Sequence, residues 1–160
     1  MTKLQQAHHL FVRLIHDVYN ELRHEVPAIE SDPIDPITFE VTVQDIEFAV
    51  SYNPVQSLEQ ISIFCRFGKI PEHIELEVLY RLLELNLVIS LMQSTVLGID
   101  PESREVVYHF KVDLKRISAP SLLQALSLAA NQAKRWHTDH FLEDFEKPIE
   151  RGTLAARSIA

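Results

Sequence analysis

The chain has 160 residues, 46% hydrophobic and 24% charged, with a formal net charge of -8. That length and balance predict one globular domain rather than a disordered chain. The acidic surplus and the lack of a basic stripe argue against a nucleic-acid partner, and no apolar run nears the roughly 20 residues that insertion across a membrane requires. Lone Cys65 excludes an internal disulfide, and Gln5, Gln6, His8 and His9 stand where a secretory signal would be apolar. A cytoplasmic location is expected.

A first helix is predicted over 4–25, where Leu4, Ala7, Phe11, Leu14, Ile15, Val18 and Leu22 recur at three- and four-residue spacing. Pro27 stops it, and Pro33 and Pro36 make 26–36 a loop. Three strands follow, with Phe39, Val41 and Val43, then Ile46, Phe48 and Val50, then Ile61, Ile63, Cys65 and Phe67 on their apolar phases. Gln44-Asp45 joins the first two as a tight hairpin without the favoured glycine, and Gly68 is expected to end the third. Phe64 falls on a wet phase.

The middle helix, Ile74 to Ile89 with Pro71 opening it, is apolar on two faces. At about 100° per residue, Ile74, Val78, Leu82, Leu85 and Ile89 form one stripe, and Leu76, Leu79, Leu83 and Leu87 form another. Glu75 and Asn86 separate them on one side. A helix lying on one core needs a single stripe, so the second calls for a cover, most simply another copy of the chain. A short strand at 95–99, a turn at 100–104 and a strand through Val106, Tyr108, Phe110, Val112 and Leu114 come next, with Val107 on the wet phase. Ser118 caps a last helix with Pro120 in its first turn, running through Leu122, Leu126, Ala129, Ala133 and Trp136 towards Glu146.

The order α-β-β-β-α-β-β-α with hairpin-length connections predicts an α+β fold, an antiparallel twisted sheet of about five strands with three helices. Residues 1–147 are expected to form this single domain, and 148–160 a flexible C-terminal tail.

Little in the chain points to catalysis. Three scattered glycines, Gly68, Gly98 and Gly152, cannot build a phosphate-cradling loop, and there is no nucleophile elbow or paired-cysteine metal site. No cofactor is expected. His137 and His140, three apart on the last helix, could offer two ligands to a metal in a small enzyme or sensor, but a third and fourth are not evident. Glu72, Glu75 and Glu77 read as carboxylates complementing a helix N-terminus.

Several short segments carry a resemblance. Phe67-Gly68-Lys69-Ile70-Pro71 enters the middle helix, and Leu82-Leu83-Glu84-Leu85-Asn86 lies near its end. Leu97-Gly98-Ile99-Asp100-Pro101-Glu102-Ser103 spans the strand turn, and Asn131-Gln132-Ala133-Lys134-Arg135-Trp136 lies on the last helix. In this order the chain resembles the class I chaperones of type III secretion, the Tir-chaperone (CesT-like) family, over roughly Leu4 to Phe145; Arg104 replaces a common turn glycine. The resemblance implies a non-enzymatic, cytoplasmic homodimer that holds an N-terminal segment of one or a few secreted effectors in extended form, soluble and ready for export. It implies a dimer contact on the middle helix, for which Leu76, Leu79, Leu83 and Leu87 are the candidates. Leu10, Leu14, Phe39, Val41, Phe48 and Ile63 are the candidates for effector contact. A dimeric module that regulates by sequestering a protein partner is the other reading, beside the His137/His140 metal site.

Overall fold

The computed structural model describes residues 1–91 and 95–143, so the expected 148–160 tail lies outside the described residues. Its elements are α1 (Lys3–Glu21), β1 (Ile37–Val43), β2 (Ile46–Tyr52), β3 (Gln60–Lys69), a 3-10 turn (Glu72–Ile74), α2 (Glu75–Ser90), β4 (Thr95–Ile99), β5 (Glu105–Asp113) and α3 (Ala119–Asp139). The predicted α+β order holds.

Thr2 and Gln5 form a capping box that starts α1: the Gln5 N–H donates to Thr2 Oγ1 (3.2 Å) and the Thr2 N–H to Gln5 Oε1 (2.8 Å). The helix ends at Glu21, before the expected Glu25. Arg23 turns left-handed (φ 57°) and the His24 N–H reaches back to the Tyr19 carbonyl at 2.9 Å, which closes the last turn ahead of Pro27.

The sheet is antiparallel throughout, in the order β1-β2-β3-β5-β4, so β1 and β4 are its edges. Gln44 and Asp45 take φ 53° and 66°, the two-residue turn whose twist suits a hairpin, and Lys134 Nζ donates to Gln44 Oε1 at 3.1 Å. Gly68 does not end β3. Arg66 faces Val107 and Gly68 faces Val106, which leaves Phe67 as the extra residue of a bulge, with Gly68 at φ 104°. At the β4–β5 turn Arg104 holds φ 60°, a backbone that glycine adopts more freely.

One face of the sheet is the core. α3 crosses β1, β2 and β3 on this side; its small Ala129, Ala130 and Ala133 allow close approach while Leu122, Leu126 and Trp136 fill the space between. α1 packs on α3 and brings the Phe11 ring to 5.9 Å from Phe39 and 5.3 Å from Tyr52. α3 begins at the Ser118 cap and stops at Asp139, short of the expected Glu146, because His140 and Phe141 are both left-handed (φ 53° and 61°). Among the described residues no helix lies on the other face, where Glu40, Glu47, Phe64, Arg66, Val96 and Lys111 are exposed.

α2 rests on β4 through its first stripe: Val78 and Leu82 are buried, and Ile74, Leu85 and Ile89 pack half-buried on the core. Two polar side chains set its rotation. Asn86 makes a paired contact with the β4 backbone, donating from Nδ2 to the Leu97 carbonyl (2.7 Å) and accepting the Leu97 N–H on Oδ1 (2.8 Å). From the opposite flank Arg81 Nε donates to the Phe141 carbonyl at 3.0 Å, just past the end of α3.

Replacing Asn86 strands a partly buried backbone donor and acceptor together. Asn86→Ala is expected to lower unfolding free energy by about 1–3 kcal/mol, read from urea denaturation; an unchanged midpoint would show the pair to be dispensable. A second expectation concerns pH. Burial, helped by the nearby Lys111 charge, lowers the His109 pKa below 6.5. The unfolded chain therefore takes up this proton first, and the stability present above pH 6.5 is lost as pH falls towards the folded pKa. His109→Gln should flatten the drop in urea midpoint between about pH 7 and 5; an equal drop in both proteins would remove His109 as a cause.

Candidate functional site

With the first stripe of α2 buried, its second faces solvent. Leu76, Leu83 and Leu87 are 66–67% exposed, and Tyr80 and Leu91 join them at 63% and 81%. Placed at about 100° per residue, these five side chains form a ridge roughly 22 Å long, directly opposite Val78 and Leu82. Leu79, expected among them, sits on the flank and is half-buried, and Val88 lies exposed to one side. The two-stripe pattern located the ridge within a residue or two. Tyr80 and Leu91 were missed although they recur at the same helical spacing.

The effector candidates divide differently. Phe39, Val41, Phe48 and Ile63 are 0–6% exposed and belong to the core, where α1 and α3 cover them, so their surfaces are already used within the chain. Leu10 and Leu14 share a groove of about 380 Å³ between α1 and the start of α3, walled by Arg13, Asp17, Ile117 and Pro120. Leu10 is exposed there, while Leu14 is mostly buried beneath it.

The two sheet edges are unequal. On β4 the Asn86 amide occupies both backbone groups of Leu97. On β1 one exposed hydrogen bond, from the Tyr19 hydroxyl to the Glu40 carbonyl (3.1 Å), is the side-chain contact that touches the outward backbone. An uncovered edge of this kind can pair with an extended chain. Neither Tyr19 nor Asn86 stood out by periodicity, although a lone amide between two apolar stripes was a usable signal.

Nothing here converges on catalysis. Burial pushes the Cys65 thiol up to about 12, which keeps it protonated and unreactive at neutral pH. His137 is exposed, and the His140 ring stands edge-on to Trp136 at 4.8 Å. Among the described residues no group of three or more His, Cys, Asp or Glu side chains could hold a metal ion. No helix of the described residues is long and apolar enough to cross a membrane.

Comparison with solved structures finds the same fold in type III secretion chaperones. The Yersinia pestis chaperone SycH, solved with a fragment of YscM2, aligns with a TM-score of 0.55 at 18% identity, over 78% of this chain and 98% of SycH. The Pseudomonas aeruginosa ExoT–SpcS complex gives 0.53 at 19% identity, covering 78% of this chain and 96% of the other. The HopA1–SchA chaperone–effector complex gives 0.59 at 13% identity, covering 82% and 95%. No curated protein matches the chain by sequence. The model of the Tir chaperone protein (CesT) family matches residues 38–137, from the edge strand through most of α3. A match over that much of the chain, on a fold shared with solved chaperones, means that the chain belongs to the Tir chaperone protein (CesT) family.

Proposed function

We propose that this protein is a cytoplasmic homodimeric chaperone of type III secretion. It holds an N-terminal segment of one or a few secreted effectors in extended form, so that the effector stays soluble and competent for export. The α2 ridge carries this reading. Five large apolar side chains left in water on one helix face are too costly for an isolated subunit. Covering each would contribute about 1–2 kcal/mol. Two copies together would recover on the order of 10–20 kcal/mol, which meets the roughly 4–15 kcal/mol cost of association. Leu76, Tyr80, Leu83, Leu87 and Leu91 are the proposed contact, with Leu79 at its margin.

For the effector, the β1 edge and the adjoining α1 groove with Leu10 are the proposed seat. An incoming strand needs only to displace the Tyr19 hydroxyl from the Glu40 carbonyl, whereas the β4 edge would require breaking the paired Asn86 contact. Strand addition supplies backbone hydrogen bonds, while ordering the segment moderates affinity. An effector as partner is supported by solved complexes of the same fold, the HopA1–SchA chaperone–effector complex and the ExoT–SpcS complex.

Leu83→Asp should convert a dimer to monomer or aggregate in light scattering, because the carboxylate would be buried at the two-fold contact. A well-behaved dimer from this variant would place the interface elsewhere. Candidate effectors encoded beside this gene, when co-expressed, should include one that co-elutes through a segment near its N-terminus; separate elution of every candidate would refute the chaperone role. With such an effector, Glu40→Pro removes an edge N–H and should weaken binding by roughly tenfold or more, while Tyr19→Phe should leave it equal or tighter. Tight binding by the proline variant would show that the segment does not add to β1.

A further inference from the structure

The uncovered face of the sheet has a composition unlike ordinary solvated strand surface. One cross-strand row runs over all five strands: Glu40, Ala49, Phe64, His109 and Val96 stand side by side in register. Its centre is apolar and aromatic. Phe64 and His109 stack with ring centroids 4.5 Å apart at 19°, and Phe64 and Val96 are 38% and 51% exposed. His109 Nε2 is buried without a hydrogen-bond partner, and burial lowers its pKa below the ordinary 6.5, which favours the neutral ring beside Phe64. A hydroxyl row, Thr38, Ser51 and Ser62, borders it on one side.

On the other side the surface dips into a cleft of about 490 Å³. Phe64, Ala49 and Val107 line it together with Glu40, Asp45 and Glu47. Arg66, His137 and Asp100 also line it; Arg66 is 3.9 Å from Glu105, and Lys111 stands on the far side of Phe64 and His109. Glu40, Asp45 and Glu47 form no ion pair among the described residues. The cleft thus joins an apolar floor to four carboxylates, Glu40, Asp45, Glu47 and Asp100, which outnumber the one guanidinium, Arg66, that lines it.

We propose that this face is a second peptide-docking surface, whose occupant is a segment of a partner protein with an apolar or aromatic side chain beside lysine or arginine. The floor rewards burial of the apolar residue, and the carboxylates attract the cation. A second copy of the chain fits poorly. A two-fold contact would set the same carboxylates against themselves, in a chain of net charge -8. Acidic segments are repelled for the same reason. The surface is separate from the α2 ridge; it adjoins the β1 edge at Glu40, but uses that residue's carboxylate and not its edge backbone, so it does not require strand addition there.

The test uses two fluorescein-labelled synthetic heptapeptides, one alternating lysine with phenylalanine and one with glutamate in place of lysine, in fluorescence anisotropy with the full chain. The lysine peptide should bind at least roughly tenfold more tightly than the glutamate peptide, and less tightly as salt is raised. Phe64→Ser should weaken it by roughly tenfold, and Glu47→Lys by roughly fivefold or more. Glu47 is exposed, so its variant should keep the parent melting curve; Phe64→Ser gives up the stacking on His109, so it should melt lower, and its binding is compared well below its own melting temperature. Equal binding of the two peptides, or parent-like affinity in both variants, would overturn the proposal. A change in oligomeric mass with Phe64→Ser would overturn it too, by giving the face to a second copy. Because neither peptide is an effector, failure here leaves the chaperone reading untouched, and failure of effector co-elution leaves this surface standing.

Discussion

The paired hydrogen bonds between the Asn86 side chain and the Leu97 backbone govern most of what this molecule presents to its surroundings. An α-helix with apolar side chains on two opposed faces can settle on a sheet either way up, since burying either stripe yields a similar free energy. A directional contact removes that ambiguity. If the helix rolled over, Asn86 would lose the strand, and a partly buried N–H and C=O would be left unpaired at about 1–3 kcal/mol. Arg81, reaching the Phe141 carbonyl from the opposite flank, holds the same rotation. The ridge of Leu76, Tyr80, Leu83 and Leu87 is the consequence of that choice.

The same contact shapes the sheet. By satisfying Leu97, Asn86 closes the β4 edge and leaves β1, held lightly by Tyr19, as the edge that can exchange partners. The protein thus separates a broad apolar helix face from an open strand edge, the two surfaces on which the proposed function rests. The first needs non-directional burial over a broad helix face, and the second needs backbone donors and acceptors at strand spacing. Neither task requires titratable groups to converge, which agrees with a fold whose one thiol is buried and protonated.

Much of the architecture was readable from the chain because it rests on local rules. Alternation of Phe39, Val41 and Val43 with Thr38, Glu40 and Thr42 can only sit as a strand, and the Ser118 cap with Pro120 can only open a helix where it stands. The errors arose where local rules compete. Gly68 is as apt for a bulge as for a strand end, and pairing with β5 made it a bulge. His140 and Phe141 carry no breaker residue, yet the aromatic packing around Trp136 and the hydrogen bond from Arg81 draw them into a left-handed turn. Phe39, Val41, Phe48 and Ile63, candidates for effector contact under the family resemblance, face the core, since a greasy strand face does not itself say what covers it.

By itself the sequence determined the kinds of element, their order and the existence of a surplus apolar stripe. These follow from periodicity, caps and composition, which act within a few residues of chain. Only the tertiary structure decided which stripe is spent on the core, which edge of the sheet is sealed, and that Phe64 and His109 come together on a bare face. Each of these depends on contacts between elements far apart in the chain: Asn86 on Leu97, Tyr19 on Glu40, Phe64 on His109. A pattern of hydrophobicity is symmetric between two equally apolar faces, and directional hydrogen bonds between distant elements break that symmetry.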